Sequence, residues 1–129
     1  MPVPPELDLD GKVALITADR RGWTPSLALA LVEAGAAVAV AGAPESDAVA
    51  AVDAAIGQGG RALAITADLT QADDVEGMVE QAVTELGRVD ILINNARVEF
   101  GKPFLDVTEN EWDTVMERNV KSMFLCCQA

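Results

Sequence analysis

The stretch KVALITADRRGWTP, residues 12–25, decides the fold of this chain. Residues 13–16 form a continuous apolar run bounded by polar residues, which is typical of a strand buried on both faces of a parallel sheet. Residues 17–24 hold one glycine, and a helical pattern starts directly after them. In α/β proteins a strand-to-helix turn at this place binds nucleotides, because amide groups at the helix N-terminus point at the ligand. We therefore expect the functional centre in this turn.

Composition narrows the classes of function. The 129 residues fit one domain, which we assign to residues 11–129 after a proline-rich, acidic arm at residues 1–10. The formal net charge of −12 disfavours binding to nucleic acid and to anionic membranes. The sequence shows no basic-then-apolar leader and no membrane-length apolar run. Cys126 and Cys127 are adjacent, which does not suggest a disulfide framework, and we predict a cytoplasmic protein.

Two residue types are missing. The sequence contains no histidine and no tyrosine, so the commonest general base and the phenolic acid are unavailable to any reaction that this chain runs alone. Only carboxylates, lysines and thiols remain for proton transfer.

Apolar runs and helical patterns alternate along the whole chain. Strands are predicted at residues 13–16, 37–41, 62–67 and 89–93, and helices at residues 24–35, 47–56, 70–86 and from 108 to the end. Thr24 reads as an N-cap, Thr70 as a helix start, Gly87 as a stop, and Thr108 with Glu111 as a capping box. This alternation predicts a Rossmann-like α/β fold, a doubly wound parallel sheet with strand order 3-2-1-4.

Two features indicate the N-terminal part of a larger domain. The helical pattern still runs at Ala129 without a following glycine or proline, and the apolar fourth strand is expected to be an unprotected sheet edge.

Several motifs together resemble one family, the short-chain dehydrogenase/reductases, from about Asp8 to the last residue. They are DGKVA at residues 10–14, ADLT at 67–70, VDILINNA at 89–96, DVTENEW at 106–112 and RNV at 118–120. The resemblance implies an oxidoreductase that uses NAD or NADP.

The family's glycine motif is altered in this chain. The pattern Thr-Gly-x-x-x-Gly-x-Gly, which binds the cofactor pyrophosphate, reads TADRRGWT here, so two of three glycines are replaced. We expect Ala18 to set a Cβ in a tight turn and the Thr24 hydroxyl, as N-cap, to occupy amide groups that a phosphate needs. Asp19 adds a negative charge. A competent nucleotide turn and a turn that has lost its ligand both remain open.

The resemblance also implies roles for individual residues. Asp68 would contact the adenine, the backbone of residues 94–96 would lie along the adenosine ribose, and Arg21 would contact the 2′-phosphate of NADP. The Arg21 match favours NADP over NAD. The end of the second strand, Gly42 and Ala43, offers neither an acid for a ribose diol nor an arginine for a phosphate, so NADP and NAD both stay candidates. The implied cofactor-binding residues are Thr17, Arg20, Arg21, Gly22, Asp68, Leu69, Asn94, Asn95 and Ala96.

Simpler interpretations stand beside these roles. Asp68 fits a turn with Thr70, and Asn94 and Asn95 fit a structural role that ties loops to the sheet. Asn119 matches the family's catalytic asparagine in a proton relay, and it also fits a buried side chain bonded to nearby backbone. Arg97 replaces a family glycine and would either recruit a phosphate or block the cleft.

Two hypotheses follow for function. In the first, the chain is the N-terminal nucleotide-binding portion of an NAD(P)-dependent oxidoreductase; because the family's serine and Tyr-x-x-x-Lys motif have no match here, this chain alone is expected to be inactive. In the second, it is a non-catalytic Rossmann-like protein that acts by self-association or with a partner chain. The exposed sheet edge or the last helix would then form a homo-oligomer.

Overall fold

Four strands alternate with helices along residues 3–129, the part of the chain that the computed structural model describes. The strands are β1 (Val13–Thr17), β2 (Ala37–Gly42), β3 (Ala62–Thr66) and β4 (Ile91–Ile93). The helices are α1 (Thr24–Glu33), α2 (Ala48–Gly57), α3 (Ala72–Leu86), α4 (Glu109–Met116) and α5 (Ser122–Gln128). A π-helical segment, Glu117–Lys121, joins α4 to α5, and short 3₁₀ turns lie at Pro5–Leu7 and Phe104–Asp106.

The sheet confirms the predicted topology. All pairings are parallel and the order is β3-β2-β1-β4. In the centre of the sheet, Ala14 pairs with Val38 of β2 and with Ile91 of β4. Every residue of β1 is buried, as its unbroken apolar pattern predicts.

Alternation along β1 divides the core into two layers, because successive strand side chains point to opposite faces. Leu15 belongs to the layer formed with Met78 of α3 and Cys126 of α5. Ile16 belongs to the other layer, in which small side chains such as Ala51 bring α1 and α2 close to the sheet. Helices thus cover the sheet on both faces.

Two helix ends have the structure that the local sequence predicts. The Thr108–Glu111 capping box is present: Thr108 Oγ1 accepts from Glu111 N–H, and the Glu111 side chain accepts from Thr108 N–H. Gly35, predicted as the stop of α1, has φ +100°, and a Cβ there would lie 3.0 Å from the Asp10 nitrogen. The stop therefore requires glycine both for its conformation and for its close approach.

Several boundaries differ from the predictions. The last helix is not continuous, because the π-helical segment inserts into it. Helix α3 begins at Ala72 rather than Thr70, because Thr70 N–H and hydroxyl bond to Asp68 Oδ1. β4 is shorter than predicted, because the Asp90 carboxylate takes the place of a strand carbonyl: its Oδ2 accepts from Val13 N–H at 2.9 Å.

The hydrogen bond between Val13 N–H and the Asp90 carboxylate predicts that the stability of the fold depends on pH. The Val13 N–H and then Arg88 hold the pKa of Asp90 below its ordinary value. A folded pKa below the unfolded one stabilises the fold fully above the unfolded pKa of about 4, and this stabilisation disappears as pH falls through the folded pKa. At pH 7 we expect Asp90→Asn to melt at a lower temperature than the parent. The difference should close on acidification below about pH 4, and thermal melts from pH 7 to pH 3 measure it; a constant gap would contradict it.

The predicted N-terminal arm is only partly described, since residues 1 and 2 lie outside the described range. Leu9 N–H donates to Ala34 O at 2.7 Å, so the arm contacts the end of α1. None of the helices in residues 3–129 has the length and apolar character that crossing a membrane requires.

Candidate functional site

The candidate site lies where β1 and β4 end. Because the two strands are parallel neighbours, their carboxyl ends meet at one edge of the sheet. The turn after β1, residues 18–23, and the segment after β4, residues 94–96, therefore lie side by side. Most of the predicted cofactor-binding residues belong to these two segments.

Thr17 joins the two segments. Its Oγ1 accepts hydrogen bonds from Asn95 N–H and Ala96 N–H, both at 3.0 Å, and its side chain is in the core with the residue only 2% exposed. The hydroxyl lies 3.5 Å from Ile93 O, to which it donates. One buried side chain thus fixes the backbone that follows β4.

Asn95 makes the reciprocal connection. Its Nδ2 donates to Thr17 O and to Thr24 Oγ1, both at 3.2 Å. Its Oδ1 accepts from Arg21 Nη2, also at 3.2 Å. Asn95 therefore ties the end of β4 to β1, to the turn and to α1, while the side chain of neighbouring Asn94 has one hydrogen bond within residues 3–129, to Cys127 Sγ at 3.4 Å.

The two arginines of the turn have different surroundings. Arg21 forms an ion pair with Asp19 through Nε, and its backbone N–H donates to Asp19 Oδ1 at 2.8 Å. Its Nη2 also donates to Asn95 O at 2.7 Å, and its guanidinium lies 5.6 Å from the Trp23 ring centroid. Arg20 is exposed. Asp19 was expected only as an added charge, and its pair with Arg21 was not predicted. An Asp that accepts from the backbone N–H two residues later is nevertheless a common turn signal.

The altered glycine motif sets a Cβ in the turn, as expected. Ala18 is buried, and its φ is not positive, so the backbone there is in a conformation that alanine readily adopts. Gly22 has φ +84° and open space around the position of a Cβ. The one glycine that the chain keeps here is therefore at the position that requires it.

The prediction that Thr24 is the N-cap of α1 is wrong. Helix α1 begins at Thr24 itself, with Trp23 at the N-cap and no side-chain capping bond. The Thr24 side chain is fully buried and accepts from Asn95 instead, so its hydroxyl does not occupy the amide groups of the first turn. In this first turn Pro25 has no N–H and Thr24 N–H donates to Asp47 Oδ2, so Ser26 is the residue whose N–H a phosphate would use.

Asp47 lies beside the turn, although the sequence pattern indicated only that a helix starts there. Its Oδ2 accepts from Thr24 N–H at 3.3 Å, and its backbone N–H donates to Asp19 O at 2.7 Å. Its Oδ1 is buried, with no hydrogen-bond partner among residues 3–129. The neighbouring end of β2 packs closely on the turn, since a Cβ on Gly42 would lie 2.9 Å from Ala18 O.

Asp68 and Leu69 follow β3 at the same edge. Asp68 is exposed, and its Oδ1 accepts from Thr70 Oγ1 at 2.7 Å and from Thr70 N–H at 3.0 Å. These two bonds, the hydroxyl first, hold the pKa of Asp68 below its ordinary value and keep the carboxylate charged. Leu69 packs against the core. The turn interpretation of Asp68 is therefore correct, and its adenine contact stays a prediction.

Asn119 lies in the π-helical segment, a kind of irregularity that is frequent at functional sites. Its Oδ1 accepts from Val98 N–H at 2.7 Å, and its Nδ2 donates to Val98 O at 2.8 Å. Asn119 thus anchors the loop that follows β4. Arg97, in the same loop, is exposed and pairs with Glu99 rather than with the turn.

The Asn119 pair predicts a measurable loss of stability. Replacing Asn119 with alanine removes two hydrogen bonds to one half-buried residue, so we expect a decrease of about 1–2 kcal/mol in the free energy of unfolding. Urea denaturation measures the difference. Asn110→Ala, at an exposed position in the first turn of α4, is the control and should stay within about 0.5 kcal/mol of the parent; an equal loss in both variants would contradict a role for the Val98 contact.

Comparisons with known proteins agree on one family. A family model described as short chain dehydrogenase matches residues 12–129. The chain is 36% identical to 2-dehydro-3-deoxy-D-gluconate 5-dehydrogenase of Escherichia coli, over 94% of this chain and 47% of that protein. It is 38% identical to a 3-oxoacyl-(acyl-carrier-protein) reductase of Staphylococcus epidermidis, over 91% of this chain and 48% of that protein.

A solved structure gives the same result. The crystal structure of a short-chain type dehydrogenase/reductase from Mycobacterium marinum superposes with a TM-score of 0.84 at 42% identity, over 95% of this chain and 49% of that one. The chain spans about half the length of the curated relatives that it matches.

Proposed function

Because this chain belongs to the short-chain dehydrogenase family, we propose that it forms the dinucleotide-binding part of an NAD(P)-dependent oxidoreductase. The observation that supports this most is the first turn of α1. It lies at the carboxyl edge beside β4, its N-cap residue makes no side-chain capping bond, and a Cβ at Gly22 would meet open space; Asp47 takes the Thr24 N–H, which leaves Ser26 N–H for a ligand. Such a helix N-terminus favours a phosphate group.

The described residues fit a dinucleotide. The backbone of residues 20–23 and the first turn of α1 would hold the pyrophosphate. Thr17 holds the backbone of Asn95 and Ala96, along which the ribose would lie. Asp68, kept ionised by Thr70, would accept a hydrogen bond from the adenine amino group. When bound, the dinucleotide supplies or accepts the hydride.

Proton transfer is a separate requirement. In the proposed function Asn119 supports the relay, and its side chain holds Val98 in the loop after β4. The sequence offers no tyrosine or histidine to donate the proton. We therefore expect the 129-residue chain to bind a dinucleotide without reducing a carbonyl compound.

Calorimetric titration of NADH and NADPH into the purified chain tests this proposal. We expect binding of at least one of them, with an affinity that falls several-fold in Ser26→Glu, because the new carboxylate lies in the first turn of α1 where the phosphates would bind. Ala30→Glu places the same charge at an exposed position further along α1 and should leave the affinity unchanged. Absence of binding to both dinucleotides would contradict the proposal.

A second candidate function is association, and the last helices favour it. Large apolar side chains are exposed along α4, the π-helical segment and α5, and a contiguous patch of this kind is typical of interaction sites. They are Trp112, Met116, Val120, Met123 and Phe124. At the adjacent edge, β4 pairs only with β1 among the described strands.

Light scattering distinguishes a self-associating chain from a monomer. If the patch joins two copies, Phe124→Glu should shift the mass from dimer to monomer. Val49→Glu replaces an apolar residue that is equally exposed but lies on α2, and it should leave the mass unchanged. A parent chain that is monomeric at high micromolar concentration would contradict self-association.

A further inference from the structure

The Asp19 carboxylate pairs with Arg21, the cation of the turn that the family resemblance assigns to a phosphorylated ribose. Its side chain is 7% exposed and pairs with Arg21 Nε, while Asp19 Oδ1 accepts from Arg21 N–H at 2.8 Å. Asp19 and Arg21 thus form a closed pair within a single turn. Hydrogen bonds between ionised groups are among the strongest in proteins, and burial strengthens them.

The other contacts of Arg21 direct its guanidinium toward β4. Nη2 donates to Asn95 O at 2.7 Å and to Asn95 Oδ1 at 3.2 Å. With Nε on Asp19 and Nη2 on Asn95, Arg21 is held in place and its charge is compensated. A phosphate that approached Arg21 would therefore meet a guanidinium whose charge Asp19 already compensates, with the negative charge of that carboxylate beside it.

The end of β2, on the other side of the turn, supplies negative rather than positive charge. Gly42 and Ala43 carry no charge, and the following residues include Glu45 and Asp47. Asp47 Oδ1 is buried and without a hydrogen-bond partner among residues 3–129. A ribose hydroxyl can donate to a carboxylate oxygen, whereas a ribose phosphate would bring about two further negative charges beside Asp19 and Asp47.

We propose that Asp19 determines the cofactor preference of this site: by holding Arg21 it excludes a ribose 2′-phosphate, so that the turn takes NAD(H) rather than NADP(H). The inference rests on the proposed dinucleotide site. The expectation of NADP depended on Arg21 as a free cation. The ion pair with Asp19 compensates that charge.

The test compares the affinities for NADH and NADPH in four forms of the full chain by calorimetric titration. The parent should bind NADH at least about tenfold more tightly than NADPH, the affinity equivalent of one hydrogen bond to a charged group. Asp19→Asn keeps an acceptor for Arg21 N–H and removes the charge, so the preference should shrink about tenfold. Asp53→Asn makes the same charge change at an exposed position on α2 and should leave the preference unchanged.

The double variant D19N/R21M assigns the effect to Arg21. Removing the freed guanidinium should restore the parent preference for NADH; if it does not, the effect comes from another cation, such as exposed Arg20, and the inference is wrong. A parent that binds NADPH as tightly as NADH would overturn it without any variant. An unchanged preference in D19N, with NADH still bound, would overturn this inference alone, whereas no binding of either dinucleotide would overturn the proposed function as well.

Discussion

Replacing Thr17 with valine should lower the free energy of unfolding by about 2–4 kcal/mol, although the two side chains have nearly the same shape. The Thr17 hydroxyl is the acceptor for Asn95 N–H and Ala96 N–H. Valine removes that acceptor: Asn95 N–H keeps its bond to Ile93 O at 3.1 Å, whereas half-buried Ala96 N–H loses its acceptor. A lost hydrogen bond costs about 0.5–1.5 kcal/mol, and an amide left unpaired away from water about 1–3 kcal/mol.

Thr17→Ser is the matched control, because it keeps the hydroxyl and removes one methyl group. We expect it to lower the free energy of unfolding by about 0.5–1.5 kcal/mol, the usual size for one buried methyl group. Urea denaturation of the three proteins measures both differences. Equal losses in the valine and serine variants would mean that packing, rather than the two hydrogen bonds, explains the burial of Thr17.

The second large effect is expected for Asn95→Ala, with a loss of about 2–4 kcal/mol. This side chain donates to Thr17 O and Thr24 Oγ1, so its removal takes a donor from buried groups on β1 and α1, while Arg21 Nη2 loses Oδ1 and keeps Asn95 O. Because it also releases the turn from β4, we expect the affinity for NADH to fall together with stability.

The adjacent asparagine provides the control. The Asn94 side chain makes one weak contact, with Cys127 Sγ at 3.4 Å. Asn94→Ala should therefore change the free energy of unfolding by less than about 1 kcal/mol. Denaturant titration of both variants, at the same pH and protein concentration, gives the comparison. A larger loss for Asn94→Ala than for Asn95→Ala would contradict the network described above.

Much of the fold was predictable because its signals are local. The apolar run of β1, the stop at Gly35 and the Thr108–Glu111 capping box each depend on residues within one or two turns of chain. Given four such strands separated by helices, the right-handed connection of parallel strands leaves few possible orders. The sheet order was therefore accessible from sequence.

The candidate site was less predictable because its bonds join distant parts of the chain. Thr24 has the sequence environment of an N-cap, yet its hydroxyl accepts from Asn95, which lies 71 residues later. A rule that considers only neighbouring residues cannot predict this hydrogen-bond partner. The π-helical segment was not predicted for a different reason. The apolar helical pattern continues on both sides of it, so the pattern does not show where the π-helix is inserted.

The central claim is that the turn after β1 and the segment after β4 hold a dinucleotide, and amide-resolved NMR titration of the chain with NADH tests it most directly. The account predicts concentration-dependent shifts at Gly22, Trp23, Ser26 and Ala96, which surround the carboxyl ends of β1 and β4. Amides at the opposite edge, such as Gly35 and Gly59, should stay unchanged. An unchanged spectrum, or shifts confined to the opposite edge, would contradict it.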